Sequence, residues 1–225
     1  MAKPIELVQR VDLIKRISTG RKVLHLGCTN WPYTKEAIDN DMLLHLDLAK
    51  VARELYGFDF DQEGLDILAS HGTGDLYRAD LEKLDEVPVD ETFDVIIAGE
   101  MIEHLNNPGK FLQGIQRFMN PETDLVITTI NAYSALRFMI YGLRGKGGVN
   151  EPVHPDHVYY FSYKTLNLII QRAGLSVRDF YFYDIGTEHR PFNRWFYNLF
   201  NDVSVRIFPQ LSDGLIAVCN LSKDK

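Results

Sequence analysis

Residues 93–112 read FDVIIAGEMIEHLNNPGKFL. The apolar run from Phe93 to Ala98 reads as a buried strand, and Gly99 ends it. Glu100, Glu103 and His104 follow at once. Asn107 then supplies a natural N-cap with Pro108 at the first helical position, so a helix starts a few residues after the strand stops. Strand, polar turn and helix form the repeating unit of an α/β sheet, and here two carboxylates and an imidazole stand at the strand's mouth.

Working outward, the same alternation recurs. Further apolar runs bounded by turn residues are Lys22 to Leu26, Glu54 to Phe58, Asp75 to Arg78, Asp124 to Thr129, Val177 to Tyr183 and Gly214 to Leu221, which makes seven expected strands. Helical spacing is expected over Ile5 to Ile17, Lys35 to Val51, Gln62 to Ser70, Gly109 to Met119 and Lys164 to Ala173, with Gly174 suited to close the last of these. Alternation of this kind predicts an α/β fold, a mostly parallel sheet with helices on both faces. No repeat or low-complexity tract interrupts it, and the 225 residues fit a single domain.

Composition narrows the function. With 45% hydrophobic residues the chain can bury a sizeable core, and a net charge of −7 argues against a protein that holds nucleic-acid phosphates through clustered Lys and Arg. Cys28 and Cys219 are the only cysteines, and the N-terminus MAKPIELVQRVDLIKR lacks the apolar core of a signal peptide, so a reduced, cytoplasmic setting is expected. No stretch approaches the roughly 18 uninterrupted apolar residues of a membrane-spanning helix.

In an open α/β sheet ligands bind beyond the carboxyl ends of the strands, near the point where strand order reverses. The first strand ends in VLHLGCTNW, where Gly27 allows a tight turn, and the second in LYGFDFDQEGLDIL, where Asp59 stands at the edge and Asp61 is placed to cap the next helix. YRADLEKL puts Asp80 at the third edge, and GEMIEH is the fourth. A carboxylate at a strand end offers two acceptor oxygens to a ligand there, whereas each Asp taken alone is as readily a strand end or a cap. Asp47 lies nearer the usual spacing of about 20 residues after a glycine turn, but it falls in a helical stretch, so Asp59 is preferred.

In that order the blocks VLHLGC, YGFDFDQEGLDIL, YRADLEKL, FDVIIAGEMIEHLNNPGKFLQGIQRFMNP and LVITTINAYS resemble the class I S-adenosylmethionine-dependent methyltransferases over roughly residues 20 to 180. The fourth and fifth are similar to the branch that holds the ubiquinone-biosynthesis O-methyltransferases and the enzymes that methylate the terminal 2'-hydroxyl of small RNAs. The resemblance implies a Rossmann-like sheet of seven strands with the last antiparallel. It also implies cofactor contacts from Gly27, Cys28, Asp59, Phe60, Asp80, Leu81 and Gly99. Within E-x-x-E-H it implies divalent-metal ligands at Glu100, Glu103 and His104, completed by His157 in HPDHVYYFS or by the neighbouring His154, with Mg²⁺, Mn²⁺ or Zn²⁺ as the ion. Without a metal, His104 would act as the base and Glu103 as its partner. The glycine loop departs from the family: His25 stands where an acid is expected, and Thr29 and Trp31 where glycines are.

Two insertions, at about residues 132–150 and 187–210, are rich in aromatic, aliphatic and arginine residues and are expected to roof the site or to form a homodimer contact. Arg137, Arg144, Arg190 and Arg194 are their candidates for anionic groups. The expected activity is methyl transfer to oxygen of a small molecule, sugar or lipid-linked glycan. The rivals are an N-methyltransferase and a binding protein that has lost turnover.

Overall fold

The structure is a computed structural model, and it describes residues 5–143, 156–186, 190 and 193–222. Its strands are β1 (Glu6–Val8), β2 (Lys22–Leu26), β3 (Glu54–Asp59), β4 (Leu76–Arg78), β5 (Phe93–Gly99), β6 (Met119–Ile130), β7 (Leu175–Tyr183) and β8 (Gly214–Leu221). Its helices are α1 (Arg10–Ser18), α2 (Thr34–Asp39), α3 (Leu44–Ala49), α4 (Gln62–Ser70), α5 (Pro108–Gly114), α6 (Ala135–Arg137), α7 (Tyr163–Arg172) and α8 (Trp195–Ile207).

The eight strands form one sheet in the order β1-β7-β8-β6-β5-β2-β3-β4. Only β8 runs against its neighbours, antiparallel to both β6 and β7. The α/β expectation therefore holds with one strand more than the seven expected. Glu6–Val8, assigned from sequence to the start of a helix, instead pairs in parallel with Tyr181, Phe182 and Tyr183. Partners that lie so far along the chain can override a local helical preference.

Two further boundaries differ. The expected helix over Lys35 to Val51 is broken into α2 and α3, with Asp41 in the left-handed region at φ 55° between them. The expected helix to Met119 stops at Gly114 and tightens into a 3₁₀ turn over Ile115–Phe118, after which β6 begins early. The Asn107 cap forms as the sequence suggests, its side chain accepting from the Lys110 N–H at 3.0 Å. Asp61 stands at the N-cap of α4, but its side chain makes no capping bond.

The core has a layer on each face of the sheet. One joins Leu24, Leu26, Phe58, Phe93, Ile96 and Phe111, and the other joins Leu13, Ile14, Val23, Val95, Ile97 and Val126. Residues 95 to 98 are fully buried and divide between these layers by alternation, which is why β5 reads as a continuous apolar run. No helix among the described residues is long and apolar enough to cross a membrane.

Candidate active site

β2 has β5 on one side and β3 on the other, so strand order reverses there and a crevice opens beyond the carboxyl ends of these strands. It holds a cavity of about 1950 Å³. Gly27, Thr29, Asp59, Phe60, Asp80, Leu81, Gly99, Glu100 and His104 all line it. Gly27 turns the chain at φ +68°, and its N–H donates to the Phe58 carbonyl at 2.8 Å, which ties the loop to β3.

Asp59 is the last residue of β3 and is 3% exposed. Its carboxylate accepts from the Thr29 N–H at 2.9 Å and the Asp61 N–H at 3.0 Å, one on each oxygen. Each oxygen keeps a lone pair for a ligand hydroxyl. Asp47, the alternative, lies on α3 and pairs with Lys50 at 2.9 Å and Lys15 at 3.7 Å. Asp80 is half exposed, accepting from the Glu82 N–H and facing Lys83 at 3.3 Å. Phe60 packs edge-on to Trp31 at 5.9 Å between ring centres, so an aromatic pair stands at the rim. Cys28 differs from its neighbours: its side chain is buried among Ala37, Leu43, Leu65 and Leu68, leaving the backbone as what it can offer a ligand. Burial pushes its thiol well above the usual range.

The two glutamates of GEMIEH are sent in different directions. Glu100 sits at φ +52°, a conformation uncommon for a side chain of its kind. That turn aims its carboxylate at the Tyr183 hydroxyl, which donates to it, and at the Thr128 hydroxyl at 3.3 Å. Glu103 lies in a 3₁₀ turn over Ile102–His104 and is fully buried. The Thr129 hydroxyl donates to its Oε2 at 2.9 Å, while Oε1 has no hydrogen-bond partner among the described residues. Burial first, and the Glu100 carboxylate second, push the Glu103 carboxyl well above the usual carboxylate range.

The Glu103 carbonyl accepts the N–H groups of Val158 (2.9 Å) and Tyr159 (3.1 Å), docking that segment beside the turn. His157 is thereby brought against His104, their ring centres 4.7 Å apart. Among the described residues, Glu103, His104 and His157 each offer a ligand atom, and these atoms lie within 4.8 Å of one another. Glu100 is not part of this group. His154 and Arg144 lie outside the described residues, as do parts of both insertions.

Of the remaining insertion arginines, Arg137 pairs with Asp213 at 3.1 Å and Arg190 with Asp202 at 2.7 Å. Both insertions also contribute to the cavity wall, through Leu136, Ile140 and Tyr141 from one and Asn193 from the other.

Two residues that the sequence reading missed line the same cavity, Arg10 and Tyr183. Arg10 begins α1, its guanidinium 5.9 Å from the centre of the Tyr183 ring, and a Cβ added at Gly99 would lie 3.9 Å from its Nη1. One Arg opening an amphipathic helix carries no distinguishing sequence signal. A tyrosine closing a strand carries some, since strand ends are where ligands bind in such folds.

The Methyltransferase domain family profile matches residues 4–179. A ubiquinone biosynthesis O-methyltransferase from Hahella chejuensis is 28% identical over 138 residues, which are 57% of this chain and about half (53%) of that protein's length. One of the same name from Pseudoalteromonas translucida is 25% identical over 219 residues, covering 90% of this chain and 84% of that one. In three dimensions, a SAM-dependent methyltransferase from Archaeoglobus fulgidus superposes with a TM-score of 0.55 at 17% identity, covering 93% of this chain and 94% of its own. With strand ends, crevice and profile in agreement, the chain belongs to the methyltransferase-domain family, and its fold is that of the S-adenosylmethionine-dependent methyltransferase it superposes on.

Proposed function

We propose that the enzyme methylates a hydroxyl oxygen, and that the residues doing so are the cavity-facing His104, with the buried Glu103 and the partly buried His157 beside it. The observation that carries this reading is the Glu103–His104–His157 cluster at the cavity wall. A neutral amine needs no deprotonation before it attacks, whereas a hydroxyl does, and a histidine held against a buried carboxyl is suited to take that proton.

Asp59, with a free lone pair on each oxygen, would hold the cofactor's ribose, and Asp80 its adenine amino group. The backbone at Gly27, Cys28, Leu81 and Gly99 would complete the cradle, with Phe60 at its rim. Bound there, S-adenosylmethionine supplies an electrophilic methyl group. A cavity of about 1950 Å³ exceeds the roughly 300–1000 Å³ of a usual ligand pocket, which leaves space for an acceptor beside the cofactor. The wall facing that space includes Met101, Leu136, Ile140, Tyr141 and Ile185. It suits a small molecule, sugar or lipid-linked glycan with an apolar portion.

A divalent cation is the second reading, favoured by the same cluster. The donor set fits one: Glu103 Oε1 is buried without a hydrogen-bond partner among the described residues, and two imidazoles stand beside it. Such an ion would be held by Glu103, His104 and His157 and would acidify a bound hydroxyl. The test is mass-spectrometric detection of methylated product across a panel of catechols, sugars and prenyl-linked glycans, repeated after chelation and after metal add-back. Full activity in metal-free buffer, lost in His104→Ala, would leave His104 as the base. Transfer to amines alone would overturn the oxygen reading.

A further inference from the structure

His25 occupies the strand position where the family pattern places an acid, and it is one half of a buried pair. Its Nδ1 lies 3.2 Å from His45 Nδ1, and the rings are stacked with an interplanar angle of 13°. His25 is 3% exposed and His45 fully buried. The pair is built by its surroundings. His25 stands opposite Gly57 on β3, where an added Cβ would lie 2.9 Å from His45 Cε1 and 2.8 Å from Cys28 Sγ, so only glycine admits the second imidazole.

Two ring nitrogens facing each other at this distance share one proton, and its location fixes the other face of each ring. If His25 donated, His45 would carry its remaining proton on Nε2, which is buried and has no partner among the described residues. Along the backbone an orphaned buried N–H is rarer than an under-satisfied acceptor, and the same preference applied to the ring leaves Nε2 of His45 bare. The favoured arrangement therefore has His45 Nδ1–H donating to His25 Nδ1. His25 then carries its own proton on Nε2. With Nδ1 occupied, Nε2 is the nitrogen His25 has left for the cavity it lines, and Arg10 lines that cavity too.

We propose that His25 Nε2–H, together with Arg10, binds the carboxylate of the cofactor's methionine portion, so that this enzyme recognises its cofactor through that carboxylate more than through the ammonium group. An acid at this position accepts hydrogen bonds; His25 donates one, which inverts the polarity of the subsite. His45 is the positioning residue, acting only by fixing which His25 nitrogen is protonated. The inference rests on the cofactor occupying this crevice.

Calorimetry on the intact protein tests it with S-adenosylhomocysteine and two analogues, one lacking the amino group (the adenosyl thiobutyrate) and one lacking the carboxylate (the adenosyl thiopropylamine). The expected result is that loss of the carboxylate weakens binding about tenfold or more while loss of the amine changes it little, since a hydrogen bond to a charged group is worth about 1.5–3 kcal/mol. The opposite ranking overturns the inference and leaves the cofactor site standing. Failure of S-adenosylhomocysteine itself to bind overturns both. Nitrogen-15 spectra supply a test that needs no ligand: His25 should be protonated at Nε2 and bare at Nδ1, and His45→Phe should lift that bias. A His25 protonated at Nδ1 in the parent protein would equally overturn the inference.

Discussion

Asp59 has two jobs that must be separated before its substitution can be read. Its carboxylate anchors the backbone of the glycine loop and of the α4 entry, and its free lone pairs face the cavity. Asp59→Ala is expected to weaken S-adenosylhomocysteine by tenfold or more, measured by calorimetry on a variant whose circular dichroism matches the parent. Unchanged affinity would move the ribose contact elsewhere, with Asp47→Ala next. The His25–His45 pair makes a second residue-scale statement. Burial lowers the pKa of His45 to about 4, and burial, His45 and Arg10 hold His25 well below the usual histidine value. A folded-state pKa below the unfolded one means that the unfolded chain binds more protons, so stability is complete above the ordinary histidine value near 6.5 and is lost as pH falls from there toward 4. At His45 alone the loss amounts to roughly 3 kcal/mol. Urea unfolding between pH 7 and 4.5 measures it. His45→Phe should flatten that slope, and an unaltered slope would assign the acid sensitivity to other groups.

At the scale of elements, the active-site wall depends on one strand contact. Tyr183 closes β7 directly opposite Gly214, which opens β8. A Cβ added at Gly214 would lie 1.9 Å from Tyr183 Cζ, so the ring occupies the space that a side chain would need, and from there its hydroxyl reaches Glu100. Gly214→Ala is expected to destabilise the fold by about 1–3 kcal/mol, as overpacking does, and to free Glu100. Chemical denaturation checks the first part, and a comparable drop in turnover in Tyr183→Phe, which removes the hydroxyl that holds Glu100, would show that release of Glu100 matters. Here lies the limit of what was legible in the sequence. The apolar run of β5, the Asn107-Pro108 helix start and the acids at strand ends could be read because each is encoded within a few residues. Strand β1 could not, for its three residues gain strand character only from Tyr181, Phe182 and Tyr183. Nor could the separation of Glu100 from Glu103. Their spacing suggests one cluster, but Glu100 is drawn away by a tyrosine 83 positions later in the chain. His25 was visible as a departure from the family, but its partner was hidden by the apparent continuity of the helix that in fact breaks into α2 and α3.

For the molecule as a whole, the crevice is where separate parts of the chain become one. Arg10 comes from α1, Gly27, Asp59 and Asp80 from β2, β3 and β4 or just after them, and Gly99 and Glu100 from β5 and the turn beyond it, so a ligand there contacts both directions of the sheet at once. Such a ligand binds the folded state and not the unfolded chain. At about 100 times its Kd it should add about 2.7 kcal/mol, which for a chain of this size is a rise of about 5–10 °C in melting temperature. The insertion wall is fastened separately. Ser134 and Arg137 both reach Asp213, and Asn131 donates to the carbonyls of Gln210 and Ser212. Breaking the partly buried Arg137–Asp213 pair leaves Asp213 without its cation and should cost roughly 2–3 kcal/mol, less than for a fully buried pair. Because Arg137 belongs to the insertion wall, Arg137→Ala should lower the melting temperature of the free protein, keep nearly the whole rise given by S-adenosylhomocysteine, and lose turnover. Differential scanning calorimetry with and without ligand gives both melting quantities in one experiment. If the ligand-induced rise disappeared together with the Arg137–Asp213 pair, the insertion wall would be part of the cofactor site, and the division between cofactor cradle and acceptor wall would fall.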